Sequence, residues 1–128
     1  MSMTATISHW VVRIAGVLAL ILGLLFWTGD VRGLIPVHML LGVLTVLALW
    51  LLAATASQQG VPMSLTLTAA LIGLVTLVLG LTQANLLPGG AHWIIQAIHL
   101  VVGMTAIASG EMIGGRLRRM NVASAATG

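Results

Sequence analysis

The stretch LIPVHMLLGVLTVLALWLLAATA, Leu34–Ala56, decides the fold. It carries no charge, holds one histidine, His38, and exceeds the ~20 mostly apolar residues that cross a bilayer as a helix. Three other stretches share its character: His9–Trp27, Leu65–Leu87 and Ala91–Ile113. Between them lie turn-forming breaks, Thr28-Gly29-Asp30, Ser57 to Pro62, and Pro88-Gly89-Gly90. Connections this short predict antiparallel neighbours. The expected fold is all-α: an integral membrane four-helix bundle running up-down-up-down, in one domain over 1–128. The apolar runs are continuous rather than alternating, which argues against a β-barrel.

Little outside these spans would make a polar surface. Of 128 residues, 59% are hydrophobic and 5% charged, and the mean hydropathy is +1.15. A soluble domain averages about a quarter charged residues, and disorder needs low hydrophobicity, so both are excluded. The formal charge of +3 comes from five arginines against Asp30 and Glu111. Arginines scattered among apolar runs make no basic patch, so no nucleic-acid partner is expected despite a pI near 11.8. The absence of cysteine removes disulfides, thiolate metal sites and iron–sulfur clusters.

The first span is long, contains Arg13 and lacks a small-residue cleavage site, so it is expected to persist as a helix rather than be removed as a signal peptide. Trp10 and Trp50 would then anchor one face of the bilayer, Trp27 and Trp93 the other. Arg116, Arg118 and Arg119 follow the fourth span. By the positive-inside rule they put both termini in the cytoplasm of a bacterial-type cytoplasmic membrane, with 114–128 a cytoplasmic tail that frays from Asn121.

The chain also repeats itself. Gly16 and Gly23 recur 57 residues later as Gly73 and Gly80, and His38 and Gly42 recur 61 residues later as His99 and Gly103. One helical hairpin is thus used twice, in units of about 9–56 and 65–113. Each unit holds two helices, so the copies share an orientation and are related by an axis along the membrane normal.

Polar side chains inside a bilayer are costly and mark candidate sites. At 1.5 Å per residue, His38 lies roughly 6 Å and His99 roughly 12 Å inside their spans, both from the outer face. The pseudo-twofold sets them opposite one another. Two imidazoles in an apolar core are the axial ligand set of a six-coordinate b-type haem, one haem b per chain, with His38 and His99 as the metal ligands. Gly42 and Gly103, one turn deeper, leave room for a porphyrin edge. His92 and Gln96 continue the same face of the fourth helix. His92 either meets a haem propionate or sits at the interface beside Trp93. Gln96 either orients an axial imidazole or satisfies a neighbouring helix. Arg32 pairs with a propionate or with Asp30.

Against this stands the reading in which histidines and glycines only help helices pack. Zinc would need four ligands, and the acids for it are absent. His9 reads as a terminal, interfacial histidine, not the ligand of a second haem with Met63 or Met112. Glu111 and Arg13 read as an ion pair, with a proton or quinone site as the alternative.

The runs Leu77-Val78-Leu79-Gly80-Leu81 and Gln96-Ala97-Ile98-His99-Leu100-Val101-Val102-Gly103 resemble the haem-binding hairpins of heme A synthase. That enzyme is similar in being built of four-helix halves, each with haem-ligating histidines on its second and fourth helices. The resemblance spans about Ile14 to Ile113 and implies His38 and His99 as axial ligands. Met39 and Leu100 stand where the family often has Arg after its histidines, and Ile35 where its catalytic half has an acid. The chain therefore looks like the cofactor-holding half.

Together these readings predict a membrane b-type cytochrome that transfers electrons near the outer face, with a quinol or a redox protein as partner. No enzymatic activity is read from the residues. One alternative is a haem-handling or assembly subunit of a respiratory complex, acting as a homo-oligomer or beside a partner membrane subunit. The other is a small proton-coupled exporter, for which Glu111 is the only membrane carboxylate.

Overall fold

The computed structural model describes residues 1–128. Four helices make up the chain: α1 (Met3–Thr28), α2 (Ile35–Gln58), α3 (Met63–Thr82) and α4 (His92–Thr127), each long and apolar enough to cross a membrane. Single 3₁₀ turns, Arg32–Leu34 and Gln83–Asn85, tighten two of the connections. Ser2 caps α1, its Oγ accepting from the Ala5 amide at 3.2 Å. Pro36 sits in the first turn of α2, where no amide proton is needed. The α2–α3 turn requires the left-handed backbone of Gly60 (φ 91°).

Each helix packs on its chain neighbours, α1 closes against α4, and α2 meets α4 across the diagonal. The bundle divides along its length into two unlike halves. All 24 buried residues lie at the end that carries the termini and the α2–α3 turn, and none falls between Leu20 and Leu44 or between Leu74 and Thr105. Val12, Leu49, Leu52, Ala69, Ile113 and Leu117 fill the packed half. The other half encloses a cavity.

The internal repeat is visible in the packing. The buried residues of α4 are Ala106, Ser109, Gly110, Ile113, Gly114 and Leu117, and each lies 61 positions after a buried residue of α2. The buried residues of α3, Thr66, Ala69 and Gly73, each lie 57 after one of α1. Even the close contacts correspond. A Cβ on Gly16 would meet Ile107 of α4, and one on Gly73 would meet Val46 of α2, the residue 61 before Ile107.

Three expectations need correction. The tail does not fray at Asn121: α4 runs to Thr127, because Leu117 still packs in the core and no proline or glycine interrupts the Ala- and Arg-rich sequence after Gly115. At 36 residues, α4 is about 54 Å long, well beyond the ~30 Å hydrocarbon core. Helix α1 starts at Met3, six residues before the apolar run, held by its Ser2 cap. Trp50 is half-buried, its indole donating to the Ala70 carbonyl at 3.0 Å instead of anchoring the surface.

A Cβ on Gly114 would lie 2.5–2.8 Å from three atoms of the His9 ring. Overpacking of this kind costs about 1–3 kcal/mol. Gly114→Ala is expected to lower the thermal unfolding midpoint in detergent micelles, and adding His9→Ala to restore most of the loss.

Candidate functional site

The cavity occupies about 630 Å³ between all four helices, within the 300–1,000 Å³ typical of ligand pockets. His38, Gly42, His92, Gln96, His99 and Gly103 all line it, and so does Arg32. Its floor is closed by Gly16, Thr45, Ala106 and Ile107, where the packed half begins.

The two histidines face each other across the α2–α4 diagonal, with ring centroids 6.3 Å apart and planes at 72°. Each ring rests on a glycine of the preceding helix. A Cβ on Gly23 would lie 3.3 Å from His38 Cε1, and one on Gly80 would lie 3.2 Å from His99 Cε1. The Gly-to-His pairing is therefore the repeat expressed as contact. Gly42 and Gly103 differ: a Cβ there would meet nothing within 4 Å, because both open on the cavity.

The rings are held unequally. His38 Nδ1–H donates to the Ala19 carbonyl at 2.8 Å, and Phe26 packs edge-on against the ring at 5.3 Å. That bond fixes the tautomer and leaves Nε2 with its lone pair. His99 Nδ1 is buried and has no partner. Neither Nε2 is hydrogen-bonded within the protein, and neither is buried.

Two opposed imidazoles sharing one metal, with bonds of about 2.0–2.1 Å, would place their centroids roughly 6.4 Å apart. The observed spacing matches. No cluster of three or more His, Asp or Glu side chains is present, so a bare ion would have only these two protein donors. A metal bringing its own planar ligand suits the site better, since the cavity beside Gly42 and Gly103 offers the in-plane space. The residues present fit a haem.

At the rim several side chains have other partners. Gln96 Oε1 accepts from the Trp27 indole at 2.8 Å, so it satisfies a neighbouring helix and does not orient an imidazole. His92 Nδ1–H donates to the Leu86 carbonyl at 3.0 Å, tying the α3–α4 connection to the start of α4. Arg32 makes no ion pair with Asp30 and lines the cavity mouth.

In the packed half, Arg13 and Glu111 form the expected pair, with Nε–Oε1 2.8 Å and Nη2–Oε2 2.5 Å, and Arg13 also covers the Trp10 ring at 4.9 Å. His9 departs from expectation. It is 2% exposed rather than interfacial, because Gly114 leaves room for its ring between α1 and α4. The missing side chain at position 114 was the only sequence signal for this. Compared with protein-family models, with curated proteins and with solved structures, the chain finds no match.

Proposed function

We propose that the chain is a small membrane b-type cytochrome that holds one haem b between His38 and His99 and transfers electrons. The observation that carries this reading is the pair of imidazoles with ring centroids 6.3 Å apart in the cavity of the hollow half, neither Nε2 hydrogen-bonded within the protein. When bound, the haem iron would supply one-electron Fe(III)/Fe(II) chemistry, its potential tuned by the two imidazoles and the apolar walls. His38 and His99, on α2 and α4, would be the residues that hold the group. The Gly23 and Gly80 contacts hold the rings at the cavity, and Gly42 and Gly103 keep the plane between them clear. Arg32 and His92, at the mouth, suit the anionic edge of such a group. By the arginines after α4, the hollow half faces outward, where a quinol or a redox protein would meet it.

The full chain purified in detergent is expected to absorb as a low-spin haem protein, with sharpened bands on dithionite reduction and one haem b per chain by pyridine assay. A colourless protein that takes up no added haemin would overturn the reading.

A further inference from the structure

We infer that His9, backed by Glu111, is a proton-binding site in the packed half of the bundle, and that a proton competes with Arg118 for its Nδ1. This rests on no cofactor. His9 is 2% exposed, and its Nε2 lies 3.3 Å from Glu111 Oε1 without a well-aligned hydrogen bond. On the other side of the ring, Arg118 Nη1 donates to Nδ1 at 3.4 Å. A guanidinium can only donate, so Nδ1 accepts and the neutral ring carries its hydrogen on Nε2, toward the carboxylate. A carboxylate on one imidazole nitrogen fixes the tautomer and stabilises the imidazolium formed when the other takes a proton.

The repeat indicates that the fold does not need these groups. At the equivalent corner of the second hairpin, Thr66 stands for His9, Ala70 for Arg13 and Trp50 for Glu111. The contact survives in uncharged form, with the Trp50 indole donating to the Ala70 carbonyl where Glu111 meets Arg13. One corner of a twofold-repeated bundle thus carries three ionisable residues, and its twin packs with none. Intramembrane ionisable groups are costly, so their restriction to one copy points to a use other than packing.

The route to solvent is short. Arg118 lies beyond the fourth apolar span and is exposed, whereas the part-exposed side chains of Glu111 and Arg13 lie within the spans and face lipid. When Arg118 swings outward its hydrogen bond to Nδ1 breaks, and the lone pair takes a proton from hydronium, which leaves as water. Arg13 keeps the Glu111 charge compensated throughout. Of the other ionisable groups, α3 has none, the only one on α2 is His38 in the hollow half, Arg116 and Arg119 of α4 are exposed, and neither these two nor the Met1 amino group are among the partners of His9.

The test is ¹⁵N NMR of the histidines in the full chain, in lipid nanodiscs between pH 5 and 9, with His9→Gln to assign the signal. His9 is expected to show the Nε2–H tautomer at the alkaline end and one conversion to imidazolium. Glu111→Gln and Arg118→Leu should change the His9 signal in opposite senses. Arg118 is a surface residue, so its variant still reports if Glu111→Gln fails to fold. A His9 signal constant across the range, an Nδ1–H tautomer in the wild type, or a step unmoved by Arg118→Leu would overturn the proposal.

Discussion

His38→Ala is expected to abolish haem retention, whereas His99→Ala should keep the haem and lose its low-spin spectrum. Both variants remove one axial nitrogen, but the two rings are not equally prepared to hold a metal. His38 is fixed by its bond to the Ala19 carbonyl and by the edge of Phe26. Partners of this kind on a metal-ligating histidine are worth about 10–100-fold in affinity. His99 lacks one at Nδ1. The surviving ligand in His99→Ala is therefore the preorganised one, and the iron it holds, open on one side, should bind carbon monoxide, which the wild type should not. In His38→Ala the surviving ring is the one without a hydrogen-bonded partner, and haem should wash out during purification. Added imidazole should restore the low-spin bands in His99→Ala, by occupying the space that the ring vacates. Neither ring is part of the packed half, so both variants, compared free of haem, should unfold within a few degrees of the haem-free wild type. Retained low-spin bands in either variant would remove that histidine from the ligand set.

The spacing of polar residues along the helices was legible in the sequence, because a histidine in an apolar run is conspicuous wherever it points. His38, His99 and the glycines that follow them all reach the cavity for that reason. Which face of a helix turns inward was much harder to read. Leu49 is fully buried and Leu51 is 49% exposed, yet both are leucines in a helix that is apolar all round. Lipid and core make the same demand of a leucine, so the usual contrast between faces disappears. The inward faces are marked instead by small residues, Ala48, Ala53 and Ala56 on α2 and Gly110 and Gly114 on α4, which bring the backbones close. Read that way, Gly114 would have revealed the buried ring of His9. The partners of Gln96 and His92 were not legible, since a rim side chain is placed by the neighbouring helix and connection rather than by its own spacing.

Glycine substitutions can separate a cofactor slot from loose packing. Gly42→Leu and Gly103→Leu are expected to cut haem content to below a tenth and to leave the haem-free bundle as stable as the haem-free wild type, or slightly more so. A Cβ at either position meets nothing within 4 Å, so a leucine side chain starts into the open cavity. It also removes the helix cost of glycine, about 0.8–1 kcal/mol in exposed helices. Gly16→Leu should do the reverse. Its Cβ would lie 2.7 Å from Ile107 Cγ1 and 3.3 Å from Thr45 Cγ2, at the floor where α1, α2 and α4 meet. Overpacking there costs about 1–3 kcal/mol, read as a lower unfolding midpoint. If the hollow half were only slack between helices, filling it at Gly42 or Gly103 would stabilise the protein and leave its spectrum intact. If it is the haem slot, the same leucine removes the colour from a protein that is still folded.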